Sequence, residues 1–411
     1  MDPFVEDFVL DPYPHYARVR EGASAQREVQ PSGMVSWLVP SYEHGRRVLT
    51  DAQFSSSFEH AEVENLRRGG LLDSAGDTTL GPAMILSDPP VHTRLRGLVS
   101  RSFTPGRVEA LRPRVQEIAD QLLEAMAPRG RADLIADFAE PLPVTVMCEL
   151  LGVDPQSHGD FREWVTAMLT TPTSPETREL KHRGARALAG YLGELVASRQ
   201  AQVDLGLEEA AQPDLVRALI RAHHDEGALS PRELVGMMMQ LLIAGYETTR
   251  NLIGNGMLAL FRHPEQLALL RERPDLLPSA VEELLRFESP VPRASYRVAK
   301  EDVEVGGVRI PAGSLVSVLI AAANRDAHRF ADPDRLDITR PDNQHLAFAY
   351  GIHYCLGAPL ARVEGAVAIG SLLARLRDVR LAAHAELRWR SSSLFVRGLE
   401  TLPIEFTASA T

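Results

Sequence analysis

The stretch that decides the fold is HLAFAYGIHYCLGAPLAR, residues 345–362. It holds Cys355 between Gly351 and Gly357, with His353 two residues before the cysteine and an apolar helical pattern after it. Glycines suit a tight loop whose backbone approaches a flat ligand closely. The N-terminal amides of the following helix would point at the sulfur and favour its thiolate form. The segment therefore predicts a thiolate at the start of a helix.

Several interpretations of Cys355 are open at this point. A free cysteine is most often a buried structural thiol. A zinc site needs about four ligands, and neither His353 nor Cys148, the other of two cysteines in the chain, has CxxC-like companions. A cysteine hydrolase needs a separate general base, which nothing in the loop identifies. The structural thiol and an axial thiolate on haem iron remain.

The loop is similar to that of a known family. Its pattern F-x-x-G-x-H-x-C-x-G resembles the haem-binding loop of the cytochromes P450, with the matching positions at Phe348, Gly351, His353, Cys355 and Gly357. The continuation APLAR resembles the bacterial soluble branch of that family. Ala349 stands where the family usually has glycine, which affects the fine geometry of the loop rather than the ligand.

The resemblance implies a fold and a cofactor. The fold is mainly α with a small β-rich subdomain, and haem b lies between a long central helix and the helix after the cysteine loop. Cys355 is then the axial ligand of the haem iron, and dioxygen is the co-substrate.

A long helix is predicted from a capping box at Ser230, with Pro231 in the first helical position and Glu233 reaching back. The pattern continues to Arg262, which gives roughly 48 Å at 1.5 Å per residue. The middle of this helix, LVGMMMQLLIAGYETT, is apolar nearly all round. We therefore expect the helix to be buried along its length.

The segment AGYETT, residues 244–249, places unfavourable residues inside that helix. A glutamate such as Glu247 in an apolar setting costs several kcal/mol unless it is satisfied. The segment resembles the P450 oxygen-binding motif, in which Ala244 contacts the haem side, Thr248 hydrogen-bonds dioxygen and Glu247 links it to solvent protons. The alternative is a kinked core helix with Glu247 at its exposed edge. A threonine can also bond the carbonyl four residues earlier and open the helix locally.

Two other polar sets match family positions. His92 and Arg96 share one face of a helix that Ser87 or Asp88 would cap, and in isolation they would be a solvated stripe. The resemblance implies that they bind one haem propionate, and that Arg293 and His353 bind the second. The pair Glu283 and Arg286 has the spacing E-x-x-R, which by itself is a weak signal. The resemblance implies that these two residues and Arg340 form a structural ion network.

The substrate pocket is predicted by layout. Residues 60–86 are irregular and polar, as expected of a functional loop, and the Thr/Pro/Ser linker at residues 170–176 is either a mobile lid or an ordinary surface turn. A turn at residues 392–395 would also reach the pocket. The predicted lining residues are Met84, Ile85, Ile243, Val291, Ala294 and Leu394.

Composition limits the remaining possibilities. The net charge of −11 disfavours nucleic acid as a partner. No segment approaches the roughly 20 apolar residues of a membrane helix, and two cysteines make no disulfide framework, so the cytoplasm is the expected location. We expect one domain over residues 1–411, with β-rich parts near 30–60, 290–320 and 380–408, and a monomer.

The activity implied by the resemblance is that of a haem-thiolate monooxygenase. It would hydroxylate or epoxidise a small-to-medium organic molecule, such as a bacterial polyketide or macrolide. No flavin-binding segment is recognised, so ferredoxin and ferredoxin reductase would supply electrons. Between Arg94 and Arg114 stand six arginines and one acid, a basic patch that suits an acidic partner. The alternatives are a P450 that forms rings or couples C–C or C–O bonds, and a haem-thiolate binding or sensor protein without turnover.

Overall fold

A computed structural model describes residues 6–73, 75–154, 158–204, 220 and 229–408. Helices make up most of these residues. In chain order they are α1 Glu6–Leu10, α2 Tyr13–Glu21, α3 Tyr42–Thr50, α4 Val63–Arg68, α5 Val91–Ser100, α6 Pro105–Met126, α7 Pro141–Leu151, α8 His158–Leu169, α9 Pro175–Asp204, α10 Pro231–Arg262, α11 Pro264–Glu272, α12 Leu277–Phe287, α13 Ile320–Ala323 and α14 Ala358–Arg375.

The strands are short and form four small sheets. They are β1 Gln26–Val29, β2 Val35–Val39, β3 Phe54–Ser55, β4 Arg131–Asp133, β5 Arg297–Ala299, β6 Val303–Val305, β7 Val308–Ile310, β8 Leu315–Val318, β9 Leu376–Leu381, β10 Arg388–Trp389, β11 Leu399–Thr401 and β12 Pro403–Ala408. The largest sheet has the order β1-β2-β8-β5-β3, in which only the β2–β8 pair is parallel. Strands lie in each of the three parts expected to be β-rich, whereas β4, which pairs with β12, was not expected.

The helix α10 is the centre of the helical part. It runs over the 32 residues predicted, and its capping box forms: the Ser230 hydroxyl accepts from the Glu233 amide, and the Glu233 carboxylate accepts from the Ser230 amide. It packs against α7, α9, α12 and α14. Because neighbours surround it, most of its residues are buried, as its apolar sequence predicts.

Two glycines allow α14 and α12 to approach α10 closely. A β-carbon on Gly365 would lie 2.9 Å from Leu252 Cδ2, and one on Gly256 would lie 3.1 Å from Leu284 Cδ1. Both distances are shorter than ordinary van der Waals contact. The helix after the cysteine loop is therefore held directly against the long helix.

A buried ion network ties α12 to the segment before the cysteine loop. Arg286 binds Glu283 through two hydrogen bonds of 2.8 Å, and both side chains are fully buried. Arg340 Nε lies 3.1 Å from Glu283 Oε2, as the resemblance implied. Arg286 also donates to the carbonyls of Asn324, Pro333 and Arg335, and Glu283 accepts from Asn343 Nδ2 and the Asp337 amide.

Two local expectations were wrong. The segment 60–86 is not irregular throughout, since it contains α4 and a short bridge between Leu72 and Thr78. Asp88 does not cap α5; its carboxylate instead accepts from the hydroxyl of Ser55 and the amide of Ser56, 2.5 and 2.9 Å away. The polar side chain is satisfied by a neighbouring strand rather than by its own helix.

The linker between α8 and α9 is also not an ordinary surface turn. Thr170 and Thr171 are buried, and the Thr171 amide donates to the Ser392 carbonyl at 2.7 Å. The Thr171 hydroxyl in turn accepts from the Leu394 amide. These bonds attach the beginning of the linker to the C-terminal tail.

The ion network generates the first prediction. Glu283→Gln leaves the Arg286 guanidinium buried without its counter-charge, so we expect the free energy of unfolding to fall by about 3–5 kcal/mol, measured by urea denaturation. Glu109→Gln is the control because its pair with Arg112 is fully exposed and should leave stability unchanged. Equal effects of the two substitutions would show that burial of the network is irrelevant.

Candidate active site

A cavity lies between α10, α12, the start of β5 and the cysteine loop. Its free space is about 1390 Å³ including its opening to solvent. Most of its wall is apolar. The predicted residues that line it are Met84, Ile85, Arg96, Ala244, Thr248, Val291, Ala294, Phe348, His353, Cys355 and Gly357.

The cysteine loop contributes one wall. The Cys355 amide donates to the Phe348 carbonyl at 2.9 Å, and α14 begins three residues after the cysteine. Burial raises the pKa of the Cys355 thiol, while the backbone amides of Gly357 and Ala358 and the charge of Arg96 act in the opposite direction. Gly357 and Ala358, whose amides oppose the rise in pKa, stand at the start of α14.

Ala349 adopts the left-handed conformation that the family's glycine would adopt freely. Its φ is +58°, and its amide donates to the Leu346 carbonyl at 2.8 Å. An alanine in this region costs roughly 1–2 kcal/mol relative to the right-handed form. The loop keeps its turn despite this strain, so the departure from the family pattern does not remove Cys355 from the cavity.

The helix α10 contributes another wall, at the predicted AGYETT segment. The Thr248 hydroxyl donates to the Ala244 carbonyl at 2.6 Å, which is the i−4 bond that the sequence suggested. A β-carbon on Gly245 would collide with Met147 Sδ of α7. The glycine allows α7 to pack directly against this segment of α10, and both residues line the cavity.

Glu247 lies on the other side of α10 and does not line the cavity. It is completely buried, so the alternative of an exposed edge is wrong. Its Oε1 is 3.3 Å from Arg250 Nη1 and 3.2 Å from Arg390 Nη1. Among the described residues, its Oε2 has no hydrogen-bond partner. Two arginine side chains therefore flank one oxygen of this buried carboxyl group.

Four nitrogen-bearing side chains gather where α5, β5 and the cysteine loop meet. The rings of His92 and His353 are in contact, with centroids 4.2 Å apart and their planes tilted by 51°, and Arg96 donates to the Tyr354 carbonyl at 2.7 Å. His92 Nε2 is buried and has no partner in the described part of the chain. Burial, then Arg297 and His92, lowers the pKa of His353 to about 3.

Arg297 completes this group, and sequence reasoning missed it. It is 3 % exposed and lines the cavity, and no carboxylate of the described residues lies within ion-pair distance. Its Nη1 donates only to Ser295 Oγ and the Tyr296 carbonyl. Burial lowers its pKa to about 10, opposed by the charge of Asp88.

The prediction that Arg293 binds a propionate is wrong. Arg293 is buried away from the cavity, where its two Nη atoms bind the carboxylate of Glu28 at 2.7 and 2.9 Å. The two arginines are four residues apart in one segment, and only the long-range partner on β1 distinguishes them. The prediction failed because the partner of Arg293 is Glu28, and no local sequence pattern connects these two residues.

Other predicted positions also lie outside the cavity wall. Ile243 and Leu394 do not line it; Ile243 packs against the main hydrophobic core, and the Leu394 backbone bonds to Thr171. Gly351 does not line it either, but its φ is +76°, and a β-carbon there would lie only 3.0 Å from the Leu49 carbonyl oxygen, which explains the glycine. Two polar residues of the wall, Gln240 and Glu364, were not anticipated.

Comparison with known proteins identifies the family. The cytochrome P450 family model matches residues 39–379. Cytochrome P450 107B1 of Saccharopolyspora erythraea is 45 % identical over 404 residues, covering 98 % of this chain and 96 % of that protein. The polyketide biosynthesis cytochrome P450 PksS of Bacillus subtilis is 36 % identical over 410 residues, covering 98 % of each chain.

Solved structures agree with this result. A myxobacterial cytochrome P450 in complex with myristic acid superposes with a TM-score of 0.91 at 39 % identity, covering 99 % of both chains. The chain belongs to the cytochrome P450 family and is a P450 monooxygenase. Among the residues described, no helix has the length and apolar character needed to cross a membrane.

The residues of the cavity fit the haem that the family implies. A β-carbon on Gly357 would meet no atom within 4 Å, so the loop leaves open space beside the cysteine. His92 Nε2 and Arg297 are buried polar groups without an acidic partner, as an anionic ligand requires. Cys355 would hold the iron, and His92, Arg96, Arg297 and His353 would hold the propionates.

Arg297 and Arg293 give a direct test of which arginine holds a haem propionate. Arg297→Gln should weaken haem binding tenfold or more, because roughly 1.5–3 kcal/mol of charge-assisted hydrogen bonding is lost. The measurement is the haem transferred to apomyoglobin over time. Arg293→Gln is the matched control: it leaves Glu28 buried without its partner and lowers stability, but the folded protein should retain haem. Faster haem loss from the Arg293 variant would reverse the assignment.

Proposed function

We propose that this P450 oxidises a mainly apolar natural product, hydroxylating or epoxidising it, with a polyketide or macrolide as the favoured class. The observation that carries the proposal is the cavity itself, which joins the Cys355 sulfur and the Thr248 hydroxyl through apolar walls. The name of the Bacillus subtilis relative places that protein in polyketide biosynthesis. Met84, Ile85, Val291 and Ala294 offer surface without charge to such a molecule.

The protein residues have separable roles in this proposal. Bound haem b would supply dioxygen activation, for which a thiolate ligand is suited. Thr248 presents a hydroxyl at the cavity that holds a proton at Oγ1, now donated to Ala244. Glu247 lies on the other side of the helix between Arg250 and Arg390, and would relay protons after leaving one of them. The apolar wall excludes water from the reacting region.

The cysteine and the threonine give the test of this function. Reduced wild-type protein with carbon monoxide should show the red-shifted Soret band of thiolate-bound haem, and Cys355→Ser should lose it. Thr248→Ala should keep the band yet form product less efficiently by roughly tenfold or more, since a proton-donating group is lost. The readouts are the absorption spectrum and the hydrogen peroxide released per NADPH during oxidation of a polyketide selected by spectral titration.

A normal product yield from Thr248→Ala would remove the threonine from the proton path. A complete absence of the band in the wild type would refute the haem-thiolate function altogether.

We further propose that electrons come from ferredoxin, which docks beside the cysteine loop. Three of the large hydrophobic side chains exposed in the described chain lie within five residues of Cys355: Tyr350, Ile352 and Tyr354. The basic patch is weaker than its sequence indicates, because glutamates pair with some of its arginines. These pairs are Arg94 with Glu233, Arg112 with Glu109, and Arg114 with Glu117 and Glu149.

The docking surface predicts a change in KM for ferredoxin. Ile352→Glu places a negative charge on an apolar surface that faces an acidic partner, so KM for ferredoxin should rise at least fivefold, roughly 1 kcal/mol of binding. Arg107→Glu should raise it less, and more at low than at high ionic strength. Arg27→Glu, on β1, is the control. Unchanged kinetics with both Ile352→Glu and Arg107→Glu would place the partner elsewhere.

A further inference from the structure

Lys181 is a buried cation that the oxidation scheme above does not use. It lies on α9 and is 9 % exposed, and its side chain has neither an ion pair nor a hydrogen bond with the described residues. Burial lowers its pKa to about 8, and no nearby charge opposes this shift. At pH 7 the side chain is therefore mainly an ammonium ion without a counter-charge. A buried charge in this state is unfavourable unless a partner binds it.

Lys181 is part of a nitrogen-rich face of α9. Lys181 and His182 stand three and four residues after Arg178, so the three side chains share one side of the helix. Arg178 Nε and His182 Nε2 are both buried without a hydrogen-bond partner in the described part of the chain. Arg178 Nη2 donates to the Arg68 carbonyl at 3.4 Å, so this face lies against the end of α4. One side of α9 thus presents three groups that can donate to an anion.

The loop after α4 passes close to Lys181. A β-carbon on Gly70 would lie 2.8 Å from Pro172 Cγ and 3.6 Å from Lys181 Cδ. The φ of Gly70 is +60°, which a glycine adopts without strain. The loop therefore covers the aliphatic part of the lysine and restricts where its ammonium group can go.

The acids near this face of α9 already have other partners. These pairs are Glu179 with Arg186, Asp77 with Arg232, and Glu64 with Arg68, at 2.6, 2.5 and 3.5 Å. Asp73 accepts at Oδ1 from the amides of Ala75 and Asp77. Among the described residues, no acid lies within ion-pair distance of Lys181. Its counter-charge would have to come from a bound anion.

A pocket continues from this face, between α9, α10 and residues 73–82. Its free space is about 640 Å³ including its opening to solvent. His182, next to Lys181, is in its wall. The apolar part of the wall is formed by Leu80, Ala185, Ala189, Val235 and Met239. Cationic groups beside an apolar wall suit an amphipathic anion, whose head binds the charge and whose body lies along the wall.

The pocket lies next to the cavity that contains the cysteine. On α10, Met239 lines the pocket and Gln240 lines the cavity. In the loop before α5, Pro82 lines the pocket and Met84 lines the cavity. A β-carbon on Gly236 of α10 would lie 2.5 Å from the Pro82 carbonyl oxygen, so the loop crosses the helix here in close contact. The two spaces therefore adjoin where the loop crosses α10.

We propose that Arg178, Lys181 and His182 bind a carboxylate of the substrate, so that this P450 acts on an organic acid whose apolar body extends from α9 towards the cavity. The proposal rests on the haem-thiolate function above and narrows its substrate class. Lys181 supplies the charge, and the other two side chains supply N–H donors on the same side of the helix. An uncharged substrate would leave Lys181 without a counter-charge. The site therefore selects for the anion.

Two ligands that differ in charge but not in length test the site. Decanoate and decanamide are titrated calorimetrically into the haem-loaded protein at pH 7. Wild type should bind decanoate at least tenfold more tightly than decanamide, because a charge-assisted bond to a buried ammonium group is formed. Lys181→Met keeps an unbranched side chain but removes the charge, and it should abolish this preference. Equal affinities in the wild type, or an unchanged preference in Lys181→Met, would overturn the proposal.

Two exposed cations provide matched controls. Lys300 is the only other lysine in the chain, and Arg183 is two residues from Lys181 on another side of α9. Lys300→Met and Arg183→Met should both retain the wild-type preference for decanoate. Loss of the preference in either control would show that general positive charge, rather than the buried lysine, attracts the anion.

Stability separates a ligand site from a structural role. Folding lowers the pKa of Lys181 from 10.5 to about 8, so the folded protein binds this proton less tightly than the unfolded chain does. Without added ligand at pH 7, the unfolding constant of Lys181→Met should therefore be roughly tenfold or more below that of wild type. The difference should shrink as pH rises from about 8 to 10.5. A destabilised Lys181→Met variant would mean that the lysine stabilises the fold, and would contradict the proposal.

Failure of this inference is distinguishable from failure of the proposed function. If the red-shifted Soret band is absent while wild type still prefers decanoate through Lys181, the haem-thiolate function fails. If the band is present and the preference for decanoate is absent, only the carboxylate site fails.

Discussion

The arrangement of the site depends on the buried pair of Glu283 and Arg286. Two ions removed from water are stable only when every donor and acceptor finds a partner. Here the guanidinium satisfies three backbone carbonyls and the carboxylate, while the carboxylate also accepts from Arg340, Asn343 and the Asp337 amide. These partners come from the segment that leads into the cysteine loop. The pair thereby fixes the backbone that presents Cys355, although neither side chain touches the cavity.

The requirement that buried polar groups find partners also explains the contacts made within the long helix α10. Its apolar sequence buries it between four other helices, and Glu247 is completely buried with it. Arg250 on the same helix and Arg390 from the C-terminal tail lie beside one carboxyl oxygen of the acid, while its Oε2 has no hydrogen-bond partner among the described residues. Thr248 uses the local solution, a bond to the Ala244 carbonyl. One face of the helix therefore carries buried charged groups away from the cavity, while the adjacent face presents the Thr248 hydroxyl to the cavity.

The parts of the molecule that the sequence predicted are those in which local pattern and chemistry agree. The capping box and the extent of α10 follow from residues close together in the chain, while the E-x-x-R pair and the cysteine loop were expected from their resemblance to the family. Failures occurred where the partner is distant. Asp88 could cap its own helix but binds Ser55 and Ser56, and Arg293 binds Glu28, 265 residues away. Glu364 was overlooked because a glutamate in a helix is ordinary until its burial is known.

The contrast between Arg293 and Arg297 shows how burial and pairing together indicate a ligand site. Both guanidinium groups are almost completely buried and both derive from the same short segment. Arg293 has a carboxylate, so it is satisfied within the protein and its role is structural. Arg297 has only a hydroxyl and a carbonyl, and its pKa is lowered as a result of burial. A buried cation left without a counter-charge is unfavourable by itself. Its position beside the orphaned His92 nitrogen is therefore best explained by an anion that the folded chain is built to receive.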